Sequence, residues 1–345
     1  MSSSVIAFHL GSWEIHSSSI IICIGLIFCL AVFLHNYGRS TGKTTAGLAA
    51  FALGFLFSVL LGRVLHWYFN PESYDSFLCA LTNDEAGNYV LSAMIIGVWA
   101  ASWVVKWLGL MKSRMALLDA SAPGLAVMIV FIRASAFFNS TCRGKIIVRA
   151  DVLKHFPISL AETDSAGNTN FRFCTFAVAA VLMLIVFFAV CILYSRRRRK
   201  GETWQWFVLL YTVVTVMMDS TRSDSPLMHF RMISRLNKWS AFVSLDQVLP
   251  GIFALVLLIR RSRKSIRRNG FDSKQIIGYI LFAVSLYGIG KLGEYNVQRF
   301  ASYITSYSIM TASFAILLYS EYLVGKESPD KAQKLLNPII RNGQL

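Results

Sequence analysis

The chain has 345 residues, of which 55% are apolar and only 15% charged, and its mean hydropathy is +0.53. Soluble domains carry about a quarter charged residues, so this composition excludes a soluble globule and points to an all-α integral membrane protein. The net charge is +16, from 34 Lys and Arg against 18 Asp and Glu. In a membrane protein such an excess belongs to cytoplasmic loops, which explains it better than nucleic-acid binding.

A helix needs about 20 mostly apolar residues to cross the hydrocarbon layer. Nine stretches are candidates: 17–34, 44–62, 88–105, 120–140, 173–194, 203–218, 239–259, 275–290 and 300–319. Residues 1–16 lack the basic region of a cleaved signal peptide, so the first span is expected to stay as an anchor. The stretch 173–194 carries no charge, whereas 120–140 is interrupted by Arg133, 203–218 ends against Asp219 and 239–259 contains Asp246. Arg196 to Lys200 is a basic run after the fifth span, and a second run, including Arg260, Arg261, Arg263, Lys264, Arg267 and Arg268, follows the seventh. Both loops are expected in the cytoplasm, and the segment 70–87, with Glu72, Asp75, Asp84 and Glu85 but no Lys or Arg, is expected outside. Nine spans then put the N-terminus outside and the C-terminus inside. The segments 142–170 and 221–238 are external but basic. They read either as a small folded cap with solvated charges or as a surface for anionic headgroups.

Several motif-like strings do not hold up. Gly38, Gly42, Lys43 and Thr44 resemble a phosphate loop but are one residue short and follow no strand. Gly288, Gly290 and Gly293 match GxGxxG inside an apolar span, where close helix packing is the simpler explanation. Asn139-Ser140-Thr141 is a formal glycosylation sequon that abuts a span. Cys23, Cys29, Cys174 and Cys191 sit in apolar runs, and no CxxC pair or Cys/His cluster points to a metal. HExxH and GxSxG are absent, so neither a conventional metalloprotease nor a serine hydrolase is expected.

The informative residues are the charges at membrane depth: Arg63, Arg133, Asp219, Arg222 and Asp246. Each costs about 2.5–3.5 kcal/mol to insert, so each needs a partner or a task. Pairing between helices or snorkelling satisfies the first need. Arg133 has the stronger functional claim. It is expected well inside its span, with Ser135 and Asn139 following, and positions 133, 136 and 140 would share one helical face. A guanidinium beside a neutral amide suits a phosphodiester, which it can grip with two hydrogen bonds.

At these residues the chain resembles the bacterial prolipoprotein diacylglyceryl transferases. The resemblance rests on Leu118-Asp119-Ala120-Ser121-Ala122-Pro123, then Arg133-Ala134-Ser135-Ala136-Phe137-Phe138-Asn139, then Gly144-Lys145. Phe8 to Ser12 with Ile15-His16, Leu61-Gly62-Arg63, Tyr211 with Asp219, Arg222 and Asp224, and Val243 to Gln247 resemble further family segments in the same order. It covers roughly residues 5–265. The resemblance implies a polytopic bundle of about seven family-like helices (1–265), with a small external cap. An added two-helix hairpin (266–325) and a cytoplasmic tail (326–345) follow. It implies transfer of a diacylglyceryl group from phosphatidylglycerol to the lipobox cysteine of a prolipoprotein signal peptide at the bacterial cytoplasmic membrane. No cofactor and no metal are implied. Arg133, Arg222 and Arg63 would bind lipid phosphate together with Asn139 and Asp219, and Tyr211 would accept or relay a proton. The chain departs from the family pattern where Leu91 replaces a His, Ala136 an Asn, Thr141 a Glu and Thr215 an Arg. Two alternatives therefore stand beside an active transferase: a phospholipid-binding relative that has lost the chemistry, and a transporter with charges lining its path.

Overall fold

The computed structural model describes residues 6–10, 13–41, 44–69, 76–82, 90–138, 143–147, 154–163, 167–196, 200–222, 245–269, 273–298 and 303–325. Among them run β1 (Ile6–Leu10), β2 (Trp13–His16), α1 (Ser17–Thr41), α2 (Thr44–Phe69), α3 (Phe77–Thr82), α4 (Leu91–Trp107) and α5 (Arg114–Ser135). Then come β3 (Ser159–Thr163), β4 (Thr169–Phe173), α6 (Thr175–Arg196), α7 (Glu202–Asp219), α8 (Leu245–Asn269), α9 (Ser273–Gln298) and α10 (Tyr303–Gly325). The protein is a polytopic helical membrane protein. Among the described residues four helices are long and apolar enough to span a bilayer by length and composition: α1, α2, α5 and α6. Shorter apolar helices lie at Leu91–Trp107, Gly251–Arg260, Gln275–Ile289 and Tyr307–Ser320.

The four long spans are not equivalent. Of the apolar stretch of α5, 72% is buried inside the protein, against 22% for α1 and α2 and 28% for α6. α5 is therefore the central post, and the others turn Ile27, Phe28, Leu56, Ile185 and Phe188 outward. That exposure is what a lipid-facing surface requires, since lipid tails are as apolar as leucine. α5 packs against α1, α6, α7 and α4, and α2 packs against α4. Phe28 stacks on Phe131 across the α1–α5 contact, with ring centroids 5.5 Å apart. Pro123 lies inside α5 and cannot supply a helical hydrogen bond. Three residues before it, Asn36 Nδ2 reaches across from α1 to Ala120 O (3.5 Å). A buried cluster at one end of the bundle joins Phe33, Tyr37, Val105, Leu117 and Tyr194. Tyr37 and Tyr194 hydroxyls donate there to Leu110 O (2.7 Å) and Asn36 O (3.0 Å).

Of the two basic segments expected to form a small cap, 142–170 contributes β-structure, whereas 223–238 lies outside the described residues. β1 and β2 form one antiparallel hairpin, and β3 pairs with β4 from Ser159–Phe173 to Thr163–Thr169. The apolar run at 173–194 thus begins in a strand, since Phe173 ends β4 and the helix starts at Thr175.

The chain divides into two compact units, Met1–Pro250 and Gly251–Leu345. In the second unit α9 packs on α10. A Cβ at Gly288, the first of the GxGxxG glycines, would sit 3.4 Å from Ser313 Oγ, so this glycine lies at the contact of α9 with α10. Ser262 and Tyr279 hydroxyls hydrogen-bond within the same unit. The tail 326–345 lies outside the described residues.

Candidate functional site

α5 ends at Ser135, not near residue 140. Its C-terminal turn closes tightly: Ser135 Oγ donates to Ile132 O (2.8 Å), and the amides of Phe137 and Phe138 return to Ala134 O and Ser135 O (both 3.1 Å). Arg133 therefore stands in the last helical turn, not at mid-span; of the expected face of 133, 136 and 140, Ala136 caps the helix and 140 lies outside the described residues. A cation there complements the carbonyl end of the helix. Arg133 is 6% exposed and Asp219 3%. Arg133 Nη2 lies 3.9 Å from Asp219 Oδ1, and Arg222 Nη1 lies 3.5 Å from the same oxygen. Both distances exceed the range of a strong charge-assisted hydrogen bond, about 2.7–2.9 Å. One carboxylate oxygen is thus shared by two guanidinium groups.

α7 brings the rest of the site together. Tyr211, Thr215 and Asp219 follow at helical spacing and lie on one face of α7, and Arg222 lies three residues beyond its end. Tyr211 is 2% exposed, and its hydroxyl lies 3.4 Å from Ser92 Oγ at the start of α4. That start is tied to α2, because Val90 N reaches Gly62 O (3.5 Å), next to the buried Arg63. The ends of α2, α5 and α7 and the beginning of α4 therefore carry the sequence-identified residues Arg63, Arg133, Tyr211, Asp219 and Arg222. Asn139 and Thr141 lie outside the described residues, as does the side chain of Asp246.

A strip at residues 144–147 locks the rim. Gly144 N donates to Phe173 O (2.8 Å), Phe173 N to Lys145 O (3.1 Å), Ile147 N to Phe171 O (2.8 Å) and Lys145 N to Thr221 O (3.0 Å). Gly144 bridges to Arg222 and Ile146 to Arg172, so the β3–β4 hairpin, the strip and the end of α7 are continuous. Only glycine fits at 144, because a Cβ would come within 2.5 Å of Phe173 O and 2.8 Å of Thr175 Oγ1. Thr175 and Thr221 hydroxyls share a hydrogen bond of 2.7 Å. Burial pushes the Lys145 ammonium below its ordinary 10.5.

Two features carry no role on sequence grounds alone. Asp119, fully buried on α5, accepts from Gly201 N (2.6 Å) and Trp204 N (3.0 Å). It caps the N-terminus of α7 from a neighbouring helix, where the orphan amides and the helix dipole favour an anion. Gly201 stands at φ 89°, which glycine tolerates without strain. The signal was present in the buried Asp before Ala-Ser-Ala-Pro and in the glycine after the basic run, but only the fold pairs them. The second feature is an apolar cavity between α1, α2, α4 and α5, lined by Phe33, Phe51, Gly54, Phe55, Ser58, Leu91, Val98, Ser102, Leu117 and Ile132, among others. It contacts the charged end of the bundle through Leu91 and Ile132, the immediate neighbours of Ser92 and Arg133. Among the described residues no group of three or more His, Cys, Asp or Glu side chains could hold a metal ion.

Buried guanidinium groups thus stand around one carboxylate, beside an apolar cavity, in a polytopic membrane bundle. The chain belongs to the prolipoprotein diacylglyceryl transferase family, whose model matches residues 5–260. It is 24% identical over 270 residues to a phosphatidylglycerol–prolipoprotein diacylglyceryl transferase of Clostridium perfringens, covering 77% of this chain and 97% of that relative. It is 22% identical over 260 residues to a protein of the same name from Clostridium botulinum, covering 75% and 98%.

The departures from the family pattern have places in the fold. Leu91 forms part of the cavity wall. Ala136 packs with Cys174 and Phe176. Thr215 is 1% exposed, between Tyr211 and Asp219 on the inner face of α7.

Proposed function

We propose that this protein transfers a diacylglyceryl group from phosphatidylglycerol to the cysteine thiol of a prolipoprotein signal peptide at the outer face of the bacterial cytoplasmic membrane. A sulfur–carbon bond forms at the glyceryl carbon that bears the phosphate ester. The carbon–oxygen bond to phosphate breaks, and glycerol phosphate leaves with the electron pair. The attacking thiol belongs to the substrate, so the enzyme needs no nucleophile of its own. It needs cations where charge builds on the leaving phosphate and an acceptor for the thiol proton, because the thiolate is the reactive form.

The observation that carries this reading is the sharing of Asp219 Oδ1 by Arg133 and Arg222. A phosphate that enters meets two guanidinium groups, each able to grip it with bidentate bonds. Arg63 adds a third buried cation at the end of α2. Asn139 orients the headgroup. Tyr211, hydrogen-bonded to Ser92, relays the thiol proton: its hydroxyl oxygen accepts that proton while its own passes to the departing glycerol phosphate. The basic runs at Arg196–Lys200 and Arg260–Arg268 face the cytoplasm, which puts the Arg133 end of the bundle outside. The partners are phosphatidylglycerol, the prolipoprotein and membrane lipids, with no nucleic acid, and no cofactor takes part.

A second reading has a specific observation behind it. Leu91 and Ala136 are apolar and packed where the family pattern has polar side chains, so the protein could hold the lipid without turning it over. Expression in cells depleted of their own transferase separates the two. Lipidated prolipoprotein is expected from the wild-type chain, and Tyr211→Phe is expected to lower it by about a hundredfold, the low end for general acid–base groups. Normal membrane insertion with no lipidated product establishes the binding-only reading.

A further inference from the structure

We infer that the cavity between α1, α2, α4 and α5 is an acyl-chain ruler, with Gly54 as the residue that sets which chain lengths fit. This rests on the proposed phospholipid reading and extends it from the headgroup to the tail.

The first support is the chemistry of the walls. The three hydroxyls that line the cavity are turned to the backbone. Ser58 Oγ lies 2.7 Å from Gly54 O and 2.9 Å from Met94 O, Ser102 Oγ donates to Trp99 O (2.6 Å), and Ser121 Oγ donates to Leu118 O (2.9 Å). A cavity with its polar groups so engaged gives water few partners and favours hydrocarbon.

The second support is continuity. The upper wall includes Ile132 and Leu91, so a phosphate at Arg133 delivers its acyl chain directly into the opening. The lower wall includes Phe33, Val105 and Leu117, which belong to the buried cluster with Tyr37 and form a closed floor. From Ile132 to Leu117 the wall of α5 runs about 22 Å at about 1.5 Å per residue. One leaflet of hydrocarbon is about 15 Å thick, half of the usual core. The groove therefore accepts one chain stretched past the membrane midplane, and the floor limits its length.

Gly54 is the third support. It lies mid-wall on α2 between Phe51 and Ser58, and a Cβ built there meets nothing within 4 Å. The missing side chain relieves no steric conflict. Glycine is a poor helix former at mid-helix, so its presence at this position keeps the groove open.

Native mass spectrometry of the full-length protein, offered an equimolar mixture of dilauroyl, dipalmitoyl and dioleoyl phosphatidylglycerol, tests this. Wild type is expected to retain the longer lipids over dilauroyl. Gly54→Leu keeps the helix and fills the groove, and it is expected to lower that preference by about tenfold or more, as the lost burial of two or more methylenes requires. Leu56→Phe, on the outward face of α2, is expected to leave the ratio unchanged. An unchanged ratio in Gly54→Leu, or no retention of any lipid by wild type, overturns the ruler. Retention with the expected ratios but no transfer activity removes the catalytic reading and leaves the ruler standing.

Discussion

Among the described residues two carboxylates are buried, and their surroundings could hardly differ more. Asp119 meets two backbone amides at 2.6 and 3.0 Å, both at the start of α7. Asp219, at the other end of the same helix, meets two side-chain cations at 3.5 and 3.9 Å. The first carboxylate is fully engaged by groups that cannot move without unwinding a helix. The second is loosely engaged by long side chains that can turn to another anion. Tight backbone partners mark a structural charge, and the shared cationic partners of Asp219 are what the proposed phosphate site rests on.

That contrast can be broken or sharpened in order of expected effect. Arg133→Gln removes the central cation and is expected to cost transfer about 10²–10³-fold, the usual loss for one donor to a developing anion, with the helical circular dichroism unchanged. Prolipoprotein lipidation in transferase-depleted cells measures it, and near wild-type activity would deny Arg133 a role. Asp119→Ala is expected to act on stability instead, because two buried amides lose their acceptor at about 1–3 kcal/mol each. The melting temperature in detergent should fall clearly, with activity per folded molecule preserved. Equal damage to both readouts would erase the distinction between the two carboxylates.

Asp219→Asn offers a sign as well as a size. The carboxylate competes with phosphate for Arg133 and Arg222, so its loss is expected to tighten phosphatidylglycerol binding several-fold while slowing transfer about tenfold, the scale of hydrogen bonds to charged groups. Weaker binding would show that Asp219 positions the cations and does not compete for them. The smallest effect concerns Lys145 at the rim. Its pKa is depressed by burial, so the folded state binds its proton less tightly than the unfolded chain does. The penalty is full at neutral pH and vanishes as pH rises from the depressed value through the ordinary 10.5. Lys145→Met is therefore expected to raise the melting temperature slightly at neutral pH and to leave it unchanged at strongly alkaline pH.

The same contrast shows what could be read from the chain alone. Long apolar runs announce themselves, because hydrocarbon leaves a helix no alternative, and α1, α2 and α6 follow them closely. Charges at membrane depth announce themselves too, since each is costly, and Arg133, Asp219 and Arg222 indeed converge. The helix end at Ser135 was not legible. Apolar residues continue past it through Phe138, so composition carries no stop signal there. Asp119 was visible as a residue but not as a cap, because its partners Gly201 and Trp204 lie more than 80 positions away. The cavity was equally hidden. Its walls read as ordinary core until α2 and α4 are set beside α5.

The most direct test of the site is transfer by the purified protein from phosphatidylglycerol to a lipobox peptide, with Arg133→Lys alongside. The expected result is a thioether-linked diacylglyceryl peptide and one glycerol phosphate per turnover from wild type. Arg133→Lys should form product far more slowly, because an ammonium cannot grip phosphate with two parallel bonds. No product from wild type with phosphatidylglycerol bound, or equal rates from wild type and Arg133→Lys, would contradict a guanidinium-centred phosphate site.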